Sequence, residues 1–283
     1  MDYSIGGMTY SYEVNGEGPC IVLLHGFTGS QSTWTTFVAE WQSAFRIITV
    51  DLPGHGKTMG QASRSMSQVS DDLASLFTYL EIGPFHLVGY SLGGRTALSF
   101  SFHYPAYVVS LTLESASPGL KTEQERAERM ESDGRLAQRI QDDGVPAFVD
   151  YWESLPLFAS QINLPHRIQS AIKEERLDQT EQGLAQSLRT MGTGSQPSWW
   201  DQLKELRTPV LLMVGEWDTK FVEINQQMQE KLATADLAVV GQAGHAVHLE
   251  QASLFSTHII AFVLQAEENK RKNEETKIHR NDF

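Results

Sequence analysis

Short apolar runs recur along the chain and alternate with stretches of helical periodicity. Near-continuous runs of Val, Ile and Leu are typical of strands that are buried on both faces of a parallel sheet. Six runs have this character: 20–24, 46–50, 85–88, 109–113, 210–214 and 237–240. Residues 67–80 and 92–103 have apolar positions at helical spacing. The pattern therefore predicts an α/β protein with a mostly parallel, twisted sheet flanked by helices.

The segment 9–14 differs, because its apolar and polar residues alternate and Asn15-Gly16 follows it. Alternation indicates a strand with one face buried, and Asn-Gly is a common turn sequence. We expect an antiparallel edge strand that enters a turn.

The strand pattern stops after Leu113 and returns at Val210. Residues 121–201 are rich in Arg, Glu and Gln at helical spacing and contain no strand-like run. We therefore expect a core of residues 1–120 and 202–266, with a helical cap, or lid, of residues 121–201 inserted over the carboxyl edge of the sheet. Residues 267–283 are charged and lack apolar periodicity, so we expect a frayed or disordered tail without a catalytic part.

The net charge of −13 argues against nucleic-acid binding, which needs a basic surface. Any anionic substrate must instead be held by locally placed arginines. The single cysteine, Cys20, excludes an intramolecular disulfide and fits a cytoplasmic location. The N-terminal residues lack the pattern of a secretion signal, and no apolar run is long enough to insert into a membrane. The sequence leaves the oligomeric state open.

A candidate nucleophile stands between a strand and a helix. Residues 89–93, Gly-Tyr-Ser-Leu-Gly, match the G-x-S-x-G motif and follow the strand-like run 85–88. Glycines at both ends permit a tight turn that exposes the hydroxyl of Ser91 at the edge of the sheet. The alternative is a glycine-rich turn with a passive serine, which this strand and helix context disfavours.

A serine needs a general base, and on this kind of fold the chain order is serine, acid, histidine. Asp218 follows the run 210–214 at the loop position of the acid, whereas Glu216 precedes that position. His245 follows the run 237–240 and is the candidate base. His248 lies three residues later, but without further ligands we expect a structural hydrogen bond and no metal site.

The loop after the first buried run supplies a second element of chemistry. Residues 25–27, His-Gly-Phe, stand where such folds donate one oxyanion-hole amide, and the residue after the nucleophile donates another. We assign these N–H groups to Phe27 and Leu92, and we expect His25 to brace the loop. The segment 51–58 ends in Gly-Lys-Thr, but Asp51 replaces the first glycine of a phosphate loop, so a structural turn is expected.

Four motifs together resemble those of the α/β-hydrolase superfamily, over about residues 10–264. They are 25–27 (His-Gly-Phe), 51–56 (Asp-Leu-Pro-Gly-His-Gly), 89–95 (Gly-Tyr-Ser-Leu-Gly-Gly-Arg) and 244–245 (Gly-His). The resemblance implies the α/β-hydrolase fold. It does not identify the reaction, because esterases, C–C hydrolases, dehalogenases and lyases share this fold.

A narrower resemblance is to the 2-succinyl-6-hydroxy-2,4-cyclohexadiene-1-carboxylate (SHCHC) synthase family of menaquinone biosynthesis. It rests on 90–95, 114–120 (Glu-Ser-Ala-Ser-Pro-Gly-Leu), 192–197 (Gly-Thr-Gly-Ser-Gln-Pro) and 218–221 (Asp-Thr-Lys-Phe). It implies a lyase that eliminates pyruvate from a polycarboxylate substrate with the triad as base and without a cofactor. It also implies that Arg95, Arg126 and Arg176 clamp the substrate, and that Tyr90 and Trp152 line the pocket.

The arginines offer a physical check, because a planar guanidinium can bind both oxygens of a carboxylate. Arg95 lies four residues after Ser91, about one helical turn along. Arginines of the cap could equally form salt-bridged, solvated helix faces. Two other functions stay open: a serine carboxylesterase or C–C bond hydrolase, and a non-catalytic binding protein, which the complete triad disfavours.

Overall fold

The computed structural model describes residues 1–60 and 62–281, the side chains of 273, 274 and 276–281 excepted. The strands are β1 (Asp2–Ile5), β2 (Met8–Asn15), β3 (Cys20–Leu24), β4 (Arg46–Val50), β5 (Met59–Gly60), β6 (Phe85–Tyr90), β7 (Val108–Glu114), β8 (Val210–Gly215) and β9 (Ala235–Val240). The helices are α1 (Thr35–Trp41), α2 (Met66–Tyr79), α3 (Leu92–His103), α4 (Glu123–Glu153), α5 (His166–Leu177), α6 (Glu181–Met191), α7 (Thr219–Lys231), α8 (Val247–Glu250) and α9 (Ala252–Asn281).

The sheet has the order β1-β2-β4-β3-β6-β7-β8-β9, and β5 pairs with β2. Strands from β4 through β9 along this order pair in parallel, while β2 is antiparallel to both β1 and β4. The predicted α/β-hydrolase fold is therefore confirmed. The prediction that 9–14 forms an edge strand is wrong, because Gly6 and Gly7 adopt φ of 56° and 80° and fold β1 back onto β2.

Helices cover both faces of this sheet, which explains its near-continuous apolar strands. Along β3, Val22 and Leu24 belong to the apolar cluster that contains α2 and α3 side chains. Ile21 and Leu23 belong to the opposite cluster, which contains side chains of α1 and α9. Successive residues of a strand point to opposite faces, so a doubly covered strand must be apolar throughout.

Helices α4, α5 and α6 lie between β7 and β8, within the segment expected to form the cap. α4 and α6 share a small apolar core of their own that includes Ile140, Phe148 and Leu184. α4 is interrupted at Gly144, whose φ of 83° and ψ of 165° are not helical. Because Pro146 follows, the break gives the second half of α4 a new direction over the sheet edge.

The tail was expected to be frayed or disordered, and for residues 267–281 this prediction is wrong, because α9 continues to Asn281. Residues 282 and 283 lie outside the described residues. Opposite charges at helical spacing support the extension, since Glu268 pairs with Lys272 at 2.6 Å. A contact with the sheet does so as well, because Glu267 lies 3.2 Å from Nε2 of His86 on β6. Neither α9 nor any other described helix is apolar enough over sufficient length to cross a membrane.

Candidate active site

Ser91 occupies the sharp turn between β6 and α3. Its backbone has φ of 49° and ψ of −106°, and its N–H donates to the carbonyl of Glu114 at 2.8 Å. A Cβ at Gly93 would lie 2.1 Å from the carbonyl oxygen of Leu24, so only glycine fits there. The turn is the nucleophile elbow that the motif predicts, and it holds the Ser91 side chain above the carboxyl edge of the sheet.

Three loops at this edge bring the candidate triad together. His245, in the loop after β9, has its Nε2 atom 3.2 Å from Ser91 Oγ. Its Nδ1 atom lies 2.6 Å from Oδ2 of Asp218, the residue that precedes α7. Asp218 and His245 are both buried. A carboxylate on Nδ1 leaves Nε2 free to accept a proton from the serine hydroxyl, which is the geometry of a serine-based nucleophile or base.

A second histidine–carboxylate pair lies directly behind the triad. The carboxylate of Glu114, at the end of β7, accepts hydrogen bonds from the backbone N–H of His248 and from its Nδ1 atom, each at 2.9 Å. The ring of Tyr90 packs between the two histidines, with centroids 4.5 Å from His248 and 5.5 Å from His245. His248 thus has the structural hydrogen bond expected for it, and the pair ties the His245 loop to β7.

The candidate oxyanion amides belong to the first residue of α3 and to the loop after β3. Leu92 is the first residue of α3, so its N–H has no acceptor within the helix. Phe27 lies inside a turn closed by the Gly29 N–H on the Gly26 carbonyl at 3.1 Å. His25 accepts the Leu52 N–H on Nε2 at 3.0 Å and has Nδ1 2.7 Å from the Gly26 carbonyl. Burial lowers the pKa of His25, which keeps the ring neutral in this bracing role.

Hydrogen bonds from α5 of the cap hold the loop that follows β3. One oxygen of Glu175 accepts hydrogen bonds from the Ser30 N–H at 2.9 Å and from the Thr33 hydroxyl at 2.9 Å. Gln179 donates to the Gly29 carbonyl at 3.4 Å and accepts from the Gly56 N–H at 3.0 Å. The loop that carries Phe27 is therefore held from two sides, by the core through His25 and by the cap through Glu175.

A cavity of about 330 Å³ opens on Ser91 between the core and the cap. Its wall includes most of the residues that the sequence singled out: Phe27, Tyr90, Ser91, Leu92, Arg95, Trp152 and His245. Trp152 reaches the wall from α4 and packs against the Phe27 ring, with centroids 5.4 Å apart. Asp218 stands behind His245, as a group that orients the base should.

The charges on this wall are all positive. Arg95, Arg129 and Lys220 line the cavity, and no Asp or Glu does so among the described residues. Nη1 of Arg95 donates to the Met191 carbonyl and to Gln196 Oε1, both at 2.8 Å, and within the described part of the chain no carboxylate pairs with it. Burial, and then the charge of Arg129, lower the pKa of Arg95 to about 10, so it stays charged at neutral pH.

Two arginines implied by the resemblance lie elsewhere. Arg176 is buried, bonds Glu153 at 3.0 Å and Gln161 at 3.1 Å, and does not line the cavity of Ser91. Arg126 is half-buried and also lies off this wall. The structure therefore places Arg95 on the wall of the cavity at Ser91, and Arg176 in a small neighbouring cavity that Phe27 and Tyr90 also line. The role of Arg126 and Arg176 as clamps stays a prediction.

Sequence reasoning did not single out Arg129 or Lys220. Arg129 lies one turn along α4 from Arg126, and the sequence has no signal that decides which of the two faces the core. Lys220 could have been found from the sequence, because it stands two residues after Asp218. In the structure it lies in the first turn of α7, at the edge of the site.

Comparison with known proteins finds relatives of this chain in sequence and in fold. A family model described as "Alpha/beta hydrolase family" matches residues 21–256. A Bacillus subtilis (strain 168) protein provisionally named SHCHC synthase is 46% identical over 260 residues, which cover 89% of this chain and 94% of that protein. The SHCHC synthase of Salmonella paratyphi C (strain RKS4594) is 33% identical, over 82% of this chain and 88% of that protein. The solved structure of MenH from S. aureus has a TM-score of 0.88 at 32% identity and covers 93% of this chain and 100% of that chain.

Proposed function

We propose, from the premise that this chain belongs to the alpha/beta hydrolase family, that it is a lyase of menaquinone biosynthesis. It would eliminate pyruvate from 2-succinyl-5-enolpyruvyl-6-hydroxy-3-cyclohexene-1-carboxylate and yield SHCHC. One observation carries the proposal: the cavity at Ser91 is lined by three cations and by no described carboxylate, in a chain of net charge −13. The similarity to proteins named SHCHC synthase supports it.

The cations match the chemistry of that substrate. Its ring, its succinyl group and its enolpyruvyl group each bear a carboxylate, so binding needs several positive charges close together. Arg95, Arg129 and Lys220 supply three, and Arg95 has no carboxylate of its own to release first. Arginine binds a carboxylate through two parallel N–H donors, which fixes orientation as well as position. We therefore propose these three residues as the substrate clamp.

In the proposed mechanism the triad acts as a base. Ser91 takes the proton from the ring carbon that carries the succinyl group, while its own proton passes to Nε2 of His245, 3.2 Å away. The electron pair of the broken C–H bond forms a ring double bond, the existing double bond shifts by one position, and the bond between the ring and the enolpyruvyl oxygen breaks. The leaving enolate accepts a proton and tautomerises to pyruvate, so atoms and charge balance without water or a cofactor.

The remaining residues stabilise charge during this step. Asp218, 2.6 Å from Nδ1, favours the imidazolium form of His245 that exists while the proton is held there. The succinyl carbonyl gains negative charge as the ring proton leaves. We propose that it rests against the N–H groups of Phe27 and Leu92, whose fixed positions need no reorganisation during the reaction.

Two wider statements belong to the same proposal. Residues 121–201 act as a cap that closes the cavity over a small polycarboxylate, supported by Trp152 and Arg129 on its wall. The protein works in the cytoplasm, supported by the single Cys20, whose burial raises its pKa to about 12 and keeps it a thiol.

The test is product analysis with the purified protein. On the enolpyruvyl substrate we expect release of pyruvate together with the diene product, at a rate that Ser91→Ala abolishes. An esterase or C–C hydrolase would instead cleave simple aryl esters or carbon–carbon bonds. Rapid ester cleavage with no pyruvate release from the enolpyruvyl substrate would overturn the proposal.

A further inference from the structure

Two serines occupy equivalent places at the carboxyl edge of the sheet. β6 and β7 run in parallel, and their last paired residues are Tyr90 and Glu114. Ser91 follows the first and Ser115 follows the second. Both have positive φ, 49° for Ser91 and 47° for Ser115, and both line the cavity. Adjacent strands lie about 4.8 Å apart, so Ser115 stands one strand spacing from the nucleophile.

Ser115 has no evident structural reason to be a serine. Its side chain is fully buried, and its Oγ atom has no hydrogen-bond partner among the described residues. Burying an unpaired hydroxyl costs free energy, and so does holding a residue with a Cβ at positive φ. Glycine would avoid both costs at this position. A polar group retained under these conditions points to a partner that the protein chain does not supply.

The backbone around Ser115 is held firmly enough to maintain this conformation. The N–H of Ser115 donates to the Met213 carbonyl at 2.9 Å. Asn225 donates to the Ala116 carbonyl at 3.2 Å, and the Trp199 N–H donates to the Pro118 carbonyl at 2.7 Å. The backbone of Ser115, on the wall of the cavity, is therefore held in this conformation by bonds that need no ligand.

Other residues of the cavity wall also carry hydrogen-bond donors or positive charges that a ligand with acceptor oxygens could satisfy. Two more buried donors on this wall lack a partner among the described residues, the hydroxyl of Ser187 and the indole N–H of Trp152. The residues that carry them line the cavity together with the charged Arg95, Arg129 and Lys220, and no described carboxylate does so. A ligand that satisfies these groups must carry several acceptor oxygens with negative charge.

We propose that Ser115 is a substrate-binding residue whose hydroxyl donates a hydrogen bond to a carboxylate oxygen beside the reacting ring carbon. The identity of that substrate rests on the proposed function. Because a carboxylate keeps its charge through the elimination, the bond is equally strong in the bound substrate and in the transition state. Its loss raises KM and the product Kd and leaves kcat nearly unchanged.

The experiment compares Ser115→Ala and Ser115→Gly with a matched control, Ser101→Ala. Ser101 is also a fully buried serine, but it lies in α3 away from the cavity, and its hydroxyl bonds the Ala97 carbonyl at 2.8 Å. We measure kcat and KM for pyruvate release, and Kd for the product and for tricarballylate, a generic tricarboxylate. Both Ser115 variants should raise KM and Kd about tenfold, with kcat within about threefold of wild type. Ser101→Ala should leave all four values near wild type.

The two Ser115 variants separate binding from strain. Glycine adopts the positive φ without strain whereas alanine is strained by it, so the thermal unfolding midpoint should be higher for Ser115→Gly than for Ser115→Ala. Unchanged KM and Kd in Ser115→Ala would overturn the inference. So would wild-type affinity in Ser115→Gly, because a variant without the hydroxyl would then bind the ligand as well as the wild type does. If the wild type releases no pyruvate, the proposed function fails. The Kd of tricarballylate still tests whether Ser115 binds a carboxylate, because that measurement needs no turnover.

Discussion

The edge of the sheet and the cap meet at one cavity but supply it with different groups. The edge contributes Ser91, His245 and Asp218, already joined by hydrogen bonds of 3.2 and 2.6 Å. From the cap come Arg129 and Trp152, which line the cavity on its other side. The proposed reacting groups thus all belong to the core, whereas the proposed substrate-binding groups are divided between the two regions. Reaction and recognition should be separable by mutation.

The arginines show the same division. On α4, Arg139 pairs with Asp143 at 3.3 Å, and on α5, Arg176 pairs with Glu153 at 3.0 Å. Arg139 therefore lies on a salt-bridged, solvated face of the kind that the sequence left open as an alternative, whereas Arg176 is paired but buried. Arg95 differs, because it belongs to the core helix α3, lines the cavity and has no carboxylate partner among the described residues. The number of arginines in the sequence therefore overstates the positive charge at the cavity, because only those that line its wall contribute.

The largest effect should come from the sheet edge. Ser91→Ala removes the base that contacts the substrate, so kcat should fall by at least about 10³-fold, measured as pyruvate release. The cations are untouched, and the Kd of the product should stay within about threefold of wild type. If affinity fell as far as turnover, reaction and recognition would not be separate.

Arg95→Ala should lower kcat/KM by about 100-fold, because a substrate carboxylate would lose a charged, bidentate partner in a largely desolvated site. Steady-state kinetics at fixed ionic strength measures the change. Arg139→Ala is the control, since Arg139 is half-exposed and paired with Asp143 on the cap surface. Its effect should stay below about twofold. Equal losses in the two variants would remove the reason for distinguishing Arg95.

Arg129→Ala should raise KM about tenfold with little change in kcat. The loss of affinity is smaller than for Arg95 because the Arg129 side chain is 43% exposed and already forms a salt bridge with Asp133 at 2.7 Å. The matched variant is Arg126→Ala, one helical turn away and off the cavity wall, for which we expect less than a twofold change. A larger rise in KM for Arg126→Ala than for Arg129→Ala would instead support Arg126 as the clamp residue, as the family resemblance implies.

At neutral pH the smallest effect concerns the stability of the core, and this effect grows as the pH falls. Burial and the neighbouring His25 lower the pKa of His55 to about 3, from 6.5. Between these values the unfolded chain binds a proton that the native protein does not, so His55 destabilises the fold as pH falls from 6.5 toward 3. His55→Gln should make that decline shallower by up to about 1.4 kcal/mol per pH unit, measured by urea unfolding at several pH values.

The exposed His258 provides the control for this measurement. His258→Gln should leave the pH dependence of unfolding as it is in the wild type. The same slope in wild type and His55→Gln would contradict the assignment, and it would place the acid sensitivity of the fold at other buried groups.

Features that depend on local spacing could be predicted from the sequence. β3 and β4 begin and end where their apolar runs do. The elbow at Ser91 was recognisable because a strand, two glycines and a helix must follow one another within a few residues. The chain order of serine, acid and histidine then reduced the search for partners to the ends of two late strands, where Asp218 and His245 stand.

Features that depend on distant partners could not be predicted. Glu114 and His248 are 134 residues apart, and neither has a local pattern that pairs it with the other. The choice between Arg126 and Arg129 depends on the rotation of α4 about its axis, which the break at Gly144 and packing against α6 determine. The helical structure of residues 267–281 could not be predicted, because a high density of charges is typical of disordered segments. In the structure these charges form ion pairs along the helix.

The central claim is that the triad removes a ring proton in a cavity built for carboxylates. It is tested most directly by single-turnover release of pyruvate from substrate deuterated at the ring carbon that carries the succinyl group. The account predicts that the deuterated substrate reacts several-fold more slowly than the unlabelled one, because transfer of that hydrogen to Ser91 limits the chemical step. Equal rates, together with a covalent adduct on Ser91, would show that the serine attacks the substrate as a nucleophile, and would contradict it.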